Sequence, residues 1–207
     1  IHAAALTSVW PRRSKLVMTT NFEGTKNIME IAEKLKIKRM VHIGTACSFK
    51  HGPKENPGNE TDLYAGWKYG MDYIDSKYLA QEMLLEKHSQ NGFPVIIVNP
   101  TYMIGPFDSK PTSGKMLIEL LNNSLQGYSA GGKNFVCATD VAKASVNALK
   151  LGRLGECYIV GNENLTYKDF FMKVYYVRNT KLRLFKVPFF LILIFGLINS
   201  MMARLTS

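Results

Sequence analysis

Tyr73-Ile74-Asp75-Ser76-Lys77 sets a phenol and an ammonium four residues apart. On a helix that spacing puts both groups on one face. A free phenol titrates near pH 10, and bringing it to about 7, where it could move protons in neutral water, takes about 4 kcal/mol of selective phenolate stabilisation. An adjacent ammonium supplies part of that. The spacing recurs in Tyr64-Ala65-Gly66-Trp67-Lys68, where the glycine makes a shared helical face less assured. Tyr73 is therefore the better candidate for acid–base work.

Other chemistries find little support in the residues. His2, His42, His51 and His88 lack metal-ligand spacing, and no Ser/His/Asp constellation or P-loop stands out. No metal site is expected. Cys47, Cys137 and Cys157 are odd in number and far apart, which argues against a disulfide framework and suits a reducing, cytoplasmic compartment. The net charge of +10 comes from 26 Lys and Arg spread along 207 residues, as solvated faces carry it, so nucleic acid is not an expected partner. A basic field also suits a phosphate-bearing ligand. Asp140, in Ala138-Thr139-Asp140-Val141-Ala142, reads as a helix-start residue with a structural role.

Periodic apolar positions predict a helix from about Met18 to Lys36, and Arg39 to Gly44 then reads as a short buried strand. After a Pro, Gly and Asn loop over 52–59, a second helix over about 70–90 carries Tyr73 and Lys77 and ends at Asn91-Gly92. The near-continuous hydrophobicity of Pro94 to Val98 suits a parallel strand covered on both faces. Helices over 115–125, 139–149 and 166–177 and a strand over 156–160 complete an alternation of strands and helices. That order predicts an α/β fold with a doubly wound parallel sheet. The apolar run 187–203 is broken by Gly196, Asn199 and Ser200 and is shorter than the roughly 20 residues of a span, which favours a packed or membrane-surface helix.

Tyr73-Ile74-Asp75-Ser76-Lys77-Tyr78-Leu79-Ala80-Gln81-Glu82 resembles the Tyr-x-x-Ser-Lys-x-x-Ala-Glu helix of the extended short-chain dehydrogenase/reductase family. Four further motifs stand in that family's order: Ile1-His2-Ala3-Ala4, Asn21 to Asn27, the strand into Gly44-Thr45-Ala46, and Val98-Asn99-Pro100 before Gly105-Pro106. The resemblance covers about residues 1–170, with flavours close to dihydroflavonol reductases, 3β-hydroxysteroid dehydrogenases and nucleotide-sugar epimerases. It implies a Rossmann-like fold and NAD or NADP as cofactor. Tyr73 would move the proton, Lys77 would hold the ribose and tune the phenol, and Thr45 would orient the reacting oxygen, with Ser48 a weaker substitute. Ala3, Ala4, Asn21, Lys77, Pro100 and Thr101 would border the cofactor, and Asn99 would face cofactor or substrate. The family usually has a serine pair where this chain has Gly44-Thr45-Ala46.

The family's glycine-rich phosphate turn is not found between a strand and a helix; Gly127, Gly131 and Gly132 follow a helix instead. The resemblance places that turn upstream of Ile1, so the fold is expected to be incomplete at its N-terminus, and this fragment alone to grip a dinucleotide poorly or not at all and to be inactive. Residues 1–160 would be the remaining NAD(P)-binding part, with substrate-side insertions around 101–135, and 161–207 a partial substrate-binding cap. The implied substrate is a small molecule, an alcohol or ketone or a nucleotide sugar. A homodimer and peripheral membrane contact through 187–203 are left open. The alternative is a member that binds a dinucleotide or another ligand without turnover.

Overall fold

The structure is a computed structural model that describes residues 1–109, 111–125, 127–181 and 184–206. Packing divides the chain into two compact units, Ile1–Phe107 with Val136–Asn162, and Asp108–Phe135 with Glu163–Ser207.

The first unit is built on a parallel sheet. A short helix α1 (Lys15–Met18), a wide π turn (Thr19–Glu23) and α2 (Gly24–Lys34) follow one another without a break. This helical stretch starts earlier than periodicity predicts, because Ser14 Oγ accepts from the Val17 amide and caps it. Strand β1 (Met40–Ile43), helix α3 (Asp72–Asn91), strand β2 (Val95–Pro100), the short β3 (Tyr102–Ile104) and, further on, α5 (Ala138–Leu151) and β6 (Cys157–Val160) complete the unit. Strands β1, β2 and β6 pair in that order, all parallel, in the registers Met40↔Val95 and Ile97↔Cys157. The His2 backbone adds a parallel bridge at His42 on the far side of β1.

Every residue of β2 is buried. Successive side chains of a strand point to opposite faces, and the core divides accordingly. Val95 and Ile97 pack with Met29, Ala32, Met40 and Leu84 on the side of α2 and α3, while Ile96 and Val98 pack with Val41 and Ala148 on the side of α5. Each such side chain contributes roughly 1.5–3 kcal/mol by leaving water. The doubly wound α/β arrangement expected from the alternation of elements is present. Helix α3 stops where Asn91-Gly92 predicts: Gly92 takes φ 70° and its amide bonds the His88 carbonyl.

The second unit holds α4 (Gly114–Leu121), β4 (Gly127–Tyr128), most of β5 (Gly132–Cys137), β7 (Glu163–Thr166), α6 (Tyr167–Val177), β8 (Phe185–Lys186) and α7 (Phe189–Thr206). Two features depart from the periodic reading. Helix α4 ends four residues before Leu125, with Asn123 at φ 56° just beyond it. The glycines at 131 and 132 lead into an antiparallel pair, β5 with β7, whose alternation is hidden in sequence by Lys133, Asn134 and Asn164. Asn134 and Asn164 face each other directly and hydrogen-bond at 2.9 Å. Phe135 stacks on Phe170 with centroids 4.2 Å apart, and with Leu120, Phe171 and Tyr175 it forms this unit's buried apolar set. The run 187–203 is largely helical in α7, and its side chains from Phe189 to Met202 are mostly exposed. Among the described residues, no helix is long and apolar enough to cross a membrane.

Candidate active site

The first turns of α3 are buried although they are polar, and each polar side chain is taken by a different segment. Asp72 accepts from the Ser14 amide at 2.6 Å and from Arg13 Nη1 at 2.7 Å. Asp75 accepts from Arg13 at 3.3 Å and from the Tyr64 hydroxyl at 2.5 Å. Ser76 Oγ accepts from Asn21 Nδ2 at 3.1 Å, and Lys77 Nζ donates to the Ile43 carbonyl at 2.5 Å. The Thr45 side chain lies beside the Tyr73 phenol and works against the rise in its pKa. Buried polar groups left without partners are costly, and these contacts fix the helix against β1 with Tyr73 and Lys77 toward the strand's end.

Thr45 is poised by what surrounds it. Its backbone is extended and its Oγ1 accepts from the Cys47 amide at 3.3 Å, capping a single 3-10 turn over Ala46–Ser48. The Thr45 amide is held by Asn99 Oδ1 at 2.9 Å. A Cβ on Gly44 would come within 2.1 Å of that same Oδ1. The glycine that departs from the family's serine pair is thus the residue that lets Asn99 reach the strand end.

Burial sets the electrostatics. It pushes the Lys77 ammonium down to about 8, so the side chain is charged at pH 7 and only just so. It pushes the Tyr73 phenol up, the neighbouring Cys47 thiol adds to the rise, and the Thr45 side chain works against both. In this state the phenol is a held proton donor and is not lowered toward neutrality. His42, wholly buried beside the His2 ring at 5.3 Å, has its pKa held well below the usual imidazole value by desolvation and by Lys77.

The residues expected at a cofactor edge are brought near one another unevenly. Ala3 and Ala4 lie exposed just after the His2 bridge. Asn21 sits buried in the π turn and clamps that segment, accepting from the Leu6 amide at 2.7 Å and donating to its carbonyl at 3.0 Å. Pro100 closes β2, and Thr101 follows it with its amide on the Val160 carbonyl at 3.0 Å. Asn99, expected to face cofactor or substrate, is fully buried, with its Oδ1 on the Thr45 amide and its Nδ2 without a hydrogen-bond partner among the described residues. Ser48 is also buried. Tyr64 and Lys68 do not share a helical face: Lys68 lies in a 3-10 turn, Gly66–Tyr69, that Tyr64 precedes.

Sequence reading missed Arg13, Asp72, Asp75 and Cys47. In sequence the two aspartates look like ordinary first-turn charges. Only the burial of both carboxylates, with Arg13 across them, separates them from a solvated face. Among the described residues no group of three or more His, Cys, Asp or Glu could hold a metal ion.

Comparison with known proteins matches this geometry to a family. Residues 1–161 fit the profile of the NAD dependent epimerase/dehydratase family. A candidate dihydroflavonol 4-reductase of Synechocystis is 31% identical over 172 residues, 80% of this chain and 49% of its own length. Sterol demethylase protein B of Methylococcus capsulatus is 27% identical over 167 residues, 80% of this chain and 50% of its own. The chain spans about half the length of the curated relatives it matches. Among solved structures, gox2253 superposes with a TM-score of 0.85 at 29% identity, covering 98% of this chain and 62% of that one. A dTDP-glucose 4,6-dehydratase from Bacillus anthracis, solved with NAD, shares the fold with a TM-score of 0.73 at 19% identity, over 86% of this chain and 58% of that one. With its parallel sheet and its Tyr-x-x-x-Lys helix set against the end of β1, this chain belongs to the NAD-dependent epimerase/dehydratase family, within the extended short-chain dehydrogenase/reductases.

Proposed function

We propose that this chain carries the proton-handling side of an NAD(P)-dependent oxidoreductase or epimerase acting on a secondary alcohol or ketone, or on the corresponding carbon of a nucleotide sugar. The observation that carries the reading is the buried Lys77 ammonium held on the Ile43 carbonyl at the end of β1, one helical turn from a Tyr73 phenol that has the Thr45 side chain beside it. The bound nicotinamide would supply or accept the hydride. Tyr73 passes its proton to, or takes one from, the substrate oxygen, and Thr45 hydrogen-bonds that same oxygen.

The residues present fit such a cofactor. The Ile43 carbonyl takes one N–H of the Lys77 ammonium, and a ribose diol would use the others. Asn21 holds the Ala3–Leu6 segment close to α3, where small side chains would let a flat ring approach. A positive charge brought beside Tyr73 would favour its phenolate, against the burial that pushes the phenol up. The 1–160 portion would hold the cofactor and 161–207 would contribute to substrate selection.

The test is to measure NADH and NADPH binding by fluorescence titration and to assay turnover on alcohol, ketone and nucleotide-sugar panels, in wild type and in Tyr73→Phe. Binding retained with turnover lost in Tyr73→Phe supports the reading. Turnover unaffected by Tyr73→Phe removes the assignment. Binding with no turnover in wild type favours the non-catalytic alternative.

A further inference from the structure

The segment from Cys47 to Met71 joins the two hydroxyls of the candidate site, leaving β1 after Thr45 and entering α3 just ahead of Tyr73. Apart from two 3-10 turns it has no regular structure to stiffen it. It is pinned at two places along its length. Glu60 Oε1 accepts from the Ile159 amide of β6 at 2.7 Å. The Tyr64 hydroxyl donates to Asp75 Oδ1 at 2.5 Å.

The second pin is the more elaborate. The Tyr64 ring stacks on Tyr78 of α3, centroids 4.1 Å apart and 11° from parallel, and Trp67 meets both rings edge-on at 4.8 and 5.5 Å. A Cβ at Gly66 would fall 2.3–2.5 Å from Tyr64 ring and hydroxyl atoms, so only glycine admits this ring position. Asp75 is 3% exposed, and its other oxygen meets Arg13. Burial and the Asp75 carboxylate both push the Tyr64 phenol up, so it stays a donor across the neutral range. An apolar side chain at 75 would be buried at less cost than a carboxylate. What the carboxylate adds is direction: a charge-assisted hydrogen bond fixes where the Tyr64 ring sits.

Asp75 lies between Tyr73 and Lys77, about 200° around the helix from Tyr73 at 100° per residue. A grip there acts on the same turn from its other side. We propose that Tyr64 and Asp75 are positioning residues, a latch that clamps the 47–71 segment to the first turns of α3 and so fixes Tyr73 against Thr45. The value of that positioning to a reaction rests on the function proposed above, whereas the latch itself is testable without turnover.

The experiment uses the whole chain with Trp10→Phe, which leaves Trp67 as the single indole of two. Acrylamide quenching of Trp67 reports the segment, and amide hydrogen exchange over 59–71 and over 72–77 reports segment and helix separately. Tyr64→Phe is expected to raise quenching about twofold and exchange in both stretches about 10-fold or more, the loss of a hydrogen bond to a charged group. Gly66→Ala, which displaces the ring and leaves both latch groups chemically intact, should do the same and serves if Tyr64→Phe folds poorly. Asp75→Asn keeps an acceptor without the charge and should fall between wild type and Asp75→Ala, which reproduces Tyr64→Phe. Unchanged exchange in Tyr64→Phe and Gly66→Ala overturns the latch. A rise confined to 59–71 overturns the positioning of Tyr73. Asp75→Ala damaging where Tyr64→Phe is not assigns the effect to Arg13 pairing and overturns the role of Tyr64. Failure of the catalytic reading would show in cofactor binding or turnover and leaves these exchange patterns unchanged.

Discussion

Helices α3 and α7 are close in length, 20 and 18 residues, and opposite in character. Helix α3 is rich in charge and hydroxyl groups, yet Asp72, Asp75, Ser76, Lys77 and Gln81 are buried on it. Helix α7 opens Phe-Phe-Leu-Ile-Leu-Ile-Phe, and those side chains are between 37% and 70% exposed. Hydropathy alone would exchange the two. The contrast teaches that the burial of Asp72, Asp75, Ser76 and Lys77 on α3 is maintained by directional hydrogen bonds with other segments, whereas apolar character on α7 does not by itself produce cover. A polar surface buried at this cost is where chemistry is expected.

Four outcomes would break or sharpen that contrast. The largest concerns Tyr73→Phe, which should lower turnover by about 10²–10⁴ with cofactor affinity within a few fold and an unchanged melting temperature, since only a proton-transfer group is removed. Steady-state kinetics beside NADH titration and circular dichroism check it; a rate near wild type would show that polar burial on α3 serves packing alone.

Next in size is a matched pair of truncations read by chemical denaturation. Leu84→Ala removes a side chain of α3 with 0% exposure and should cost about 2–4 kcal/mol. Leu193→Ala on α7, at 52% exposure, should stay within about 0.5 kcal/mol. Equal costs would mean that α7 is covered in the protein as it works, and the contrast would dissolve.

A smaller effect of opposite sign is expected for Lys77→Met. The folded-state pKa of Lys77, about 8, lies below its ordinary value of 10.5. Between those values the unfolded chain binds more protons, so stability rises with pH across the window, and below about 8 the burden of the buried ammonium is constant. Lys77→Met should therefore gain about 1–2 kcal/mol at pH 7, reduced by the Ile43 carbonyl it leaves unpaired, and lose that gain by about pH 11. Melting curves at pH 7, 9 and 11 decide the sign. Cofactor affinity should fall in the same variant, which would separate stability from function at one residue.

The smallest effect is at the strand end. Gly44→Ala would press a Cβ into the Asn99 amide, and loss of the Asn99 to Thr45 hydrogen bond should cost about 1–2 kcal/mol in stability. Leaving stability unchanged would mean that Asn99 can turn aside at no cost and that its hold on Thr45 is incidental.

Much of the first unit was legible because its elements obey simple periods. The apolar run of β2, the Asn91-Gly92 stop and the alternation of strand and helix each follow from one local rule, and the fold they imply is present. The second unit was harder to read, since β5 and β7 are short and polar where they pair, and a strand whose partner lies about 30 residues away carries little local signal. The site divides in the same manner. Tyr73, Lys77 and Thr45 could be named from a motif, but Tyr64 entered only as a second example of the same spacing.

The sequence by itself determined the helix that carries Tyr73 and Lys77 and the strand that delivers Thr45. Spacing and hydropathy are properties of the chain and need no partner to be read. Tertiary structure alone decided which charges are buried, that the Asn99 Oδ1 meets the Thr45 amide, that Lys77 sits near 8 on the Ile43 carbonyl, and that Tyr64 closes on Asp75. Desolvation and hydrogen-bond direction depend on groups that are 11 to 62 residues apart in sequence and a few ångströms apart in space, and no local pattern encodes them.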